Sequence, residues 1–149
     1  MSVSVQSDDF DVGAEIIALS QGRTDIGAVV TFTGLVRDVA GGEKIADMEL
    51  EHYPGMTEKA LASIEAEANT RWELQATRII HRYGKLKSGA QIVLVATASP
   101  HRGDAFEAAE FIMDFLKSRA PFWKKEGTLG GGKWVDARDA DEDALNRWS

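Results

Sequence analysis

Between Asp104 and Arg119 the chain runs DAFEAAEFIMDFLKSR, a helix-forming stretch with a single narrow polar stripe. At about 100° per residue, Glu107, Glu110, Asp114 and Ser118 fall on one line. Phe106, Ala109, Ile112, Met113, Phe115 and Leu116 cover most of the remaining circumference. A helix apolar over so much of its girth must be buried on several sides. Sheet contact on one side and a partner subunit on another would meet that demand. The helix stops before Ala120-Pro121, because the residue ahead of a proline is pushed out of the helical region.

The rest of the chain supplies the strands. SVSVQ near the start suits a short strand, and DVGAEIIALSQG a short helix with Asp11 as cap and Gly22 as stop. GAVVTFTGLVRD, from Gly27, is β-branched and aromatic and predicts a buried strand ending at Arg37. After the Gly41-Gly42 turn, MELEHY alternates as a half-buried strand should, until Pro54-Gly55 breaks it. From Met56, the spacing of Ala60, Leu61, Ile64, Ala68 and Trp72 predicts a second amphipathic helix. ATRIIHRYG and AQIVLVATAS, separated by LKSG, read as antiparallel strands, and PFWKKEG and KWVDAR as a C-terminal hairpin around a glycine-rich loop. The order gives an α+β fold: a mixed, largely antiparallel sheet packed by two long helices, plus that hairpin. With 149 residues, no repeat and no linker, residues 1–149 form one domain. The acidic tail from about residue 139 reads either as a short helix ending in Trp148 or as partly disordered.

Composition narrows the chemistry. There is no cysteine, which excludes disulfides, thiolate metal sites, iron–sulfur clusters and a thiol nucleophile. Any sulfur handled here must be brought by another molecule. A net charge of −7 argues against broad nucleic-acid binding, so an anionic ligand would need a local cationic pocket. No apolar run reaches the roughly 18 residues of a membrane span, and MSVSVQSDDF lacks the basic and apolar parts of a secretory signal. A cytoplasmic protein is the expectation.

Three groups of residues qualify for function. Lys117 lies near the helix end, at the border between the apolar surface and the acidic stripe, where pairing with Asp114 is the bland alternative. Lys124 follows seven residues later, beyond Pro121, Phe122 and Trp123. Two ammonium groups against an apolar wall can orient an anion or assist acyl chemistry. Lys125 and Glu126 adjoin them, with strand alternation turning Lys125 to the opposite face. His101-Arg102 stands where an apolar strand meets the start of the long helix, a place suited to an anion; the bland alternative is that His101 and Asp104 only cap the helix. Arg37 closes the Gly27 strand and is a weaker signal. His52 and His81 lie in strand-like segments without helical metal spacing, so they read as structural, and no metal or cofactor is expected. Gly127 to Lys133 matches G-x-x-x-x-G-K, but Trp134 replaces the magnesium-binding hydroxyl and a strand follows, so a nucleotide loop is rejected.

Taken together, GAVVTFTGLVRD, LEHYPGMTEKAL, IIHRYGKL, SPHRGDAFEA and FIMDFLKSRAPFWKKE resemble successive blocks of the MoaE family, the large catalytic subunit of molybdopterin synthase. The resemblance runs from about Gly27 to Trp148. It implies an α/β hammerhead fold and a homodimer that binds a small ubiquitin-like sulfur-carrier subunit at each end, as a heterotetramer. The carrier's C-terminal Gly-Gly thiocarboxylate would deliver two sulfurs to cyclic pyranopterin monophosphate, making the dithiolene of molybdopterin. By motif, Lys117 and Lys124 would be catalytic, while His101, Arg102 and Arg37 would bind the phosphate, Arg37 by one option from across the dimer. Lys125 and Glu126 would adjoin the substrate. The departures are Leu35, where the family is often basic, and a loop unusually rich in glycine. A non-catalytic dimeric scaffold for a ubiquitin-like partner is the competing reading.

Overall fold

Val- and Ile-rich runs build a four-stranded sheet in the order β1-β5-β7-β2, formed by β1 (Ser2–Gln6), β2 (Ala28–Leu35), β5 (Ala76–Arg82) and β7 (Gln91–Ser99). The computed structural model describes residues 2–37, 39–40, 43–128, 131–135, 139–146 and 148. Among these, side chains are described for all but 39–40, 43–47, 123–128, 131–135 and 139–142. β1 pairs with β5 in parallel and the other neighbours are antiparallel, which makes the sheet mixed. β7 is central, and Val93 to Ser99 are all buried, as a continuous apolar run requires when both faces are covered.

Adjacent residues of β5 show what covers each face. Thr77 Oγ1 donates to the buried Glu65 carboxylate of α2 (Met56–Arg71) at 2.5 Å. Its neighbour Arg78 bonds Glu15 of α1 (Val12–Ser20) at 3.3 Å. Successive strand side chains point to opposite faces, so α1 lies on one side of the sheet and α2 on the other. Asp11 caps α1 through its Oδ1, which accepts from Ala14 N, and the helix ends at Gln21 before Gly22, as expected.

The long helix, α3 (Arg102–Ser118), shares α2's side of the sheet. Ala105, Ala108 and Ala109 let its first half lie close to β7, where Thr97 Oγ1 donates to Ala105 O at 2.7 Å. Phe111, Ile112, Met113 and Leu116 then join Leu61, Ile64 and Ala68 of α2 in the main core. Fully burying a side chain such as Ile112 or Leu61 contributes about 2 kcal/mol. Phe106 departs from the expectation and is 61% exposed. β2 also departs: it is an edge strand with Phe32 and Leu35 exposed, because among the described residues only β7 pairs with it.

A second sheet carries the hairpin. β4 (Glu43–His52) is flanked by β6 (Gly84–Lys87) and β8 (Phe122–Thr128), with β9 (Gly131–Val135) beyond β8 and β3 (Val39–Ala40) at the start of β4. β5 and β7 pair as expected, but the chain between them leaves to make β6. Gly84, at φ +92°, allows that departure. Val36, Met48, Leu50 and Leu86 form this sheet's own small core, with Phe122 and Tyr83 at its border. The β8–β9 hairpin bears out the reading of PFWKKEG and KWVDAR, and a strand rather than a helix holds Lys133. Positions 129 and 130 of its loop lie outside the described residues. The tail forms α4 (Asp139–Asn146), and Trp148 packs edge-on against Phe111 and Trp72. Among the described residues no helix is long and apolar enough to cross a membrane.

Candidate active site

The His101-Arg102 pair stands where β7 gives way to α3, and its turn is held from three directions. Ser99 Oγ donates to Glu73 O at 2.7 Å and accepts from His101 N at 3.0 Å. Gly27 N donates to Ser99 O at 3.0 Å, and Asp104 Oδ2 accepts from Glu73 N at 3.4 Å. His101 is the N-cap residue of α3, but its side chain makes no capping bond. Instead its Nε2 lies 3.4 Å from Glu73 Oε2, with both groups exposed. The capping alternative is therefore not what the side chains do. Arg102 is exposed and forms no ion pair among the described residues, which leaves its guanidinium available to an anion at the helix N-terminus.

Gly27 is a steric requirement of this turn. A Cβ there would sit 2.3 Å from Pro100 O, a backbone atom that cannot rotate away. Gly27→Ala is expected to cost about 1–3 kcal/mol and to displace the Pro100–His101 peptide. Urea unfolding checks the stability. Loss of phosphate-analogue binding in the folded variant checks the displacement.

Lys117 lies in the last turn of α3, where the helix dipole favours a cation. It is exposed and makes no ion pair among the described residues. Asp114, its expected i−3 partner, accepts a 2.6 Å hydrogen bond from the Trp148 indole instead. Arg37 is exposed just past the end of β2, next to Val36, whose N–H donates to Ala90 O and whose carbonyl accepts from Gly89 N. On β8, Lys124 pairs with Leu50 and Val135, Lys125 with Glu49 and Trp134, and Glu126 with Met48 and Lys133. The side chains of Lys124, Lys125 and Glu126 lie outside the described residues.

Strand register shows which of these positions one chain brings together. β2 and β7 are antiparallel, with Ala28 opposite Ser99 and Leu35 opposite Gln91. Arg37 therefore belongs to the Gln91 end of the sheet and His101 to the Ser99 end. Helix α3 runs back along β7, so Lys117 lies roughly 22 Å along its axis from Arg102, at the Arg37 end. Strand β8 starts at that end too: Phe122 stacks on His81 of β5, and the adjacent Arg82 bonds Gln91 O at 2.9 Å. The fold-back after Pro121 joins Lys117, Arg37 and the backbone of Lys124 at one end and leaves His101-Arg102 at the other.

His52 and His81 fall in the second-sheet border as packed rings, and among the described residues no group of three His, Asp or Glu could hold a metal ion. A groove of about 290 Å³ between α2, α3 and the tail is lined by Ile64, Phe111, Phe115, Leu145 and Trp148. It contains none of the candidate residues. Its apolar floor, with Arg71 laid over Phe111 at 4.6 Å, makes it a packing seam rather than an anion site.

Known proteins share this fold. The MoaE protein family model matches residues 5–119. A molybdopterin synthase catalytic subunit from Ralstonia nicotianae is 62% identical over 147 residues, covering 99% of this chain and 84% of that protein. The solved MoaE protein of Burkholderia ambifaria superposes with a TM-score of 0.84 at 54% identity, over 99% of this chain and 97% of its own. A Helicobacter pylori complex of subunits 1 and 2 of molybdopterin-converting factor shares the fold, at a TM-score of 0.73 and 19% identity over 92% of this chain and 90% of the matched one. The blocks quoted from Gly27 onward thus sit in a chain that matches MoaE proteins along nearly its whole length, in sequence and in fold: it belongs to the MoaE family.

Proposed function

We propose that this chain is the catalytic subunit of a molybdopterin synthase. It would transfer sulfur from the thiocarboxylated C-terminus of a small ubiquitin-like carrier to cyclic pyranopterin monophosphate, forming the dithiolene of molybdopterin. The observation that carries the reading is Lys117, an exposed cation without an ion-pair partner among the described residues, on the helix that leads directly into the strand of Lys124. A chain without cysteine cannot hold the sulfur itself, so a carrier thiocarboxylate is chemically apt.

For each transfer the thiocarboxylate sulfur would bond to a side-chain carbon of the pterin as that carbon's bond to an oxygen substituent breaks. The oxygen would leave protonated as water or with the phosphate, to give an acyl thioester between carrier and substrate. Water then cleaves the acyl carbon–sulfur bond, the carrier leaves as a carboxylate, and the sulfur stays on the pterin. Charge develops on the acyl oxygen at that stage, and an ammonium group there stabilises it. Lys117 serves the acyl terminus and the carbon under attack. Lys124 holds substrate or stabilises the oxyanion, with Lys125 and Glu126 beside it. Arg37, His101 and Arg102 bind the phosphate.

A homodimer would bring the two ends of α3, which lie far apart in one chain, to a single ligand. β2 is an open edge with Phe32 and Leu35 exposed, and Phe106 of α3 is exposed as well. If β2 pairs antiparallel with its own copy, the start of one strand faces the end of the other. That symmetry carries His101 and Arg102 of the partner subunit toward Lys117 and Arg37 of the first.

Reconstitution tests the function. The purified chain mixed with thiocarboxylated carrier and cyclic pyranopterin monophosphate is expected to yield dithiolene product, detected by its oxidised fluorescent derivative. Carrier binding without any product would leave only a scaffold and would end the enzyme reading.

A further inference from the structure

His52 and His81 come from different sheets, yet both rings meet the same residue. His81 stacks on Phe122 with centroids 3.7 Å apart and planes 18° from parallel. His52 lies 6.1 Å from Phe122 and 4.5 Å from Tyr83, and its backbone is paired with Phe122 across β4 and β8. Phe122 is the first residue of β8, between Lys117 and Lys124 in sequence. Beside it, the Pro121 carbonyl lies 3.5 Å from Thr57 Oγ1.

Both imidazoles are fixed in orientation. His81 Nδ1 is 2.9 Å from Arg82 O, and a carbonyl only accepts, so Nδ1–H donates. Thr57 gives its hydroxyl proton to Tyr53 O at 2.9 Å, so its oxygen accepts from His52 Nδ1–H at 3.2 Å. A flat ring offers a plane for stacking, which an aliphatic side chain would not. His81 is itself buried, and its stack on Phe122 is the contact that ties it to the start of β8.

We infer that His81, backed by His52, is a positioning residue for sulfur transfer: its stack on Phe122 fixes where the chain turns from α3 into β8. That contact sets the spacing between the backbone at Lys117 and at Lys124. The inference rests on the lysine roles proposed above. An error of an ångström between two groups acting on one reacting centre can cost about a hundredfold in rate.

Steady-state kinetics of His81→Ala, His81→Phe and Lys117→Ala, each assembled with the carrier, test it. His81→Ala is expected to lower kcat by about tenfold or more while KM for the pterin and carrier affinity stay within about threefold. His81→Phe keeps the stacked ring and is expected to recover most of kcat. Wild-type kcat in His81→Ala overturns the inference, and so does a folded His81→Phe as slow as His81→Ala. Should His81→Ala fail to fold by circular dichroism, Phe122→Leu removes the ring at similar apolar volume. A fall in kcat at unchanged KM then supports positioning, and wild-type kcat overturns it. An active Lys117→Ala sinks the lysine assignment itself, whereas an inactive Lys117→Ala beside a fully active His81→Ala sinks only the positioning role.

Discussion

Lys117→Ala lowers turnover by about two to three orders of magnitude while the protein stays folded and still binds its carrier. The size follows from the position of the charge. Removing one preorganised donor from a developing oxyanion costs about 3–4 kcal/mol in water-excluded sites. Lys117 lies at the surface of the single chain, outside the core that α3 builds with α2 and β7, so truncating its side chain leaves the packing intact. An exposed substitution of this kind changes stability by about 0.5 kcal/mol or less. Kinetics and folding therefore separate cleanly. Single-turnover product formation with thiocarboxylated carrier reads the first, and thermal unfolding with carrier titration reads the second. Lys117→Arg is expected to rescue poorly, because a planar guanidinium does not reproduce a compact ammonium at one point in space. Turnover of Lys117→Ala at the wild-type rate would remove this residue from the chemistry.

Local pattern made much of this molecule legible. The helical spacing from Met56 and from Asp104 yields α2 and α3 within a few residues, because apolar periodicity and the Pro54-Gly55 and Ala120-Pro121 breaks are local signals. Neighbours decide what pattern cannot. Phe106 belongs to the apolar circumference of α3, yet among the described residues of one chain nothing covers that sector. Glu65 occupies the buried face of α2 as a carboxylate because Thr77, on a strand formed later in the chain, donates to it. The departure of β6 toward β4 turns on one glycine, which a reading of two strands around a loop passes over.

The same divide runs through the candidate site. The place of His101-Arg102 at a strand-to-helix junction was legible because it follows from local pattern. The diversion of Asp114 from Lys117 was not, since it depends on an indole 34 residues away. Nor was the meeting of His52 and His81 on Phe122, which joins two sheets. Read separately along the chain, each histidine is only a ring in a strand.

Mixing two impaired variants restores activity. Lys117→Ala and Arg102→Ala disable opposite ends of α3, and within one chain those ends are too far apart for one small ligand. If each site draws its lysines from one subunit and its His101-Arg102 from the other, a mixed dimer holds one doubly damaged site and one intact site. Random exchange makes half of the dimers mixed, so turnover returns to about a quarter of the wild-type level. Each variant alone stays at least about tenfold below wild type, since Arg102 supplies a charge-assisted contact to the phosphate and Lys117 the chemistry. Subunit exchange is driven by brief incubation in mild denaturant followed by dilution, with a differently tagged pair to verify that mixed dimers form. Recovery near a quarter requires sites shared between subunits. Mixed dimers that form and stay inactive would mean that each chain builds its site alone, and the assignment of His101 and Arg102 to the same site as Lys117 would then fail.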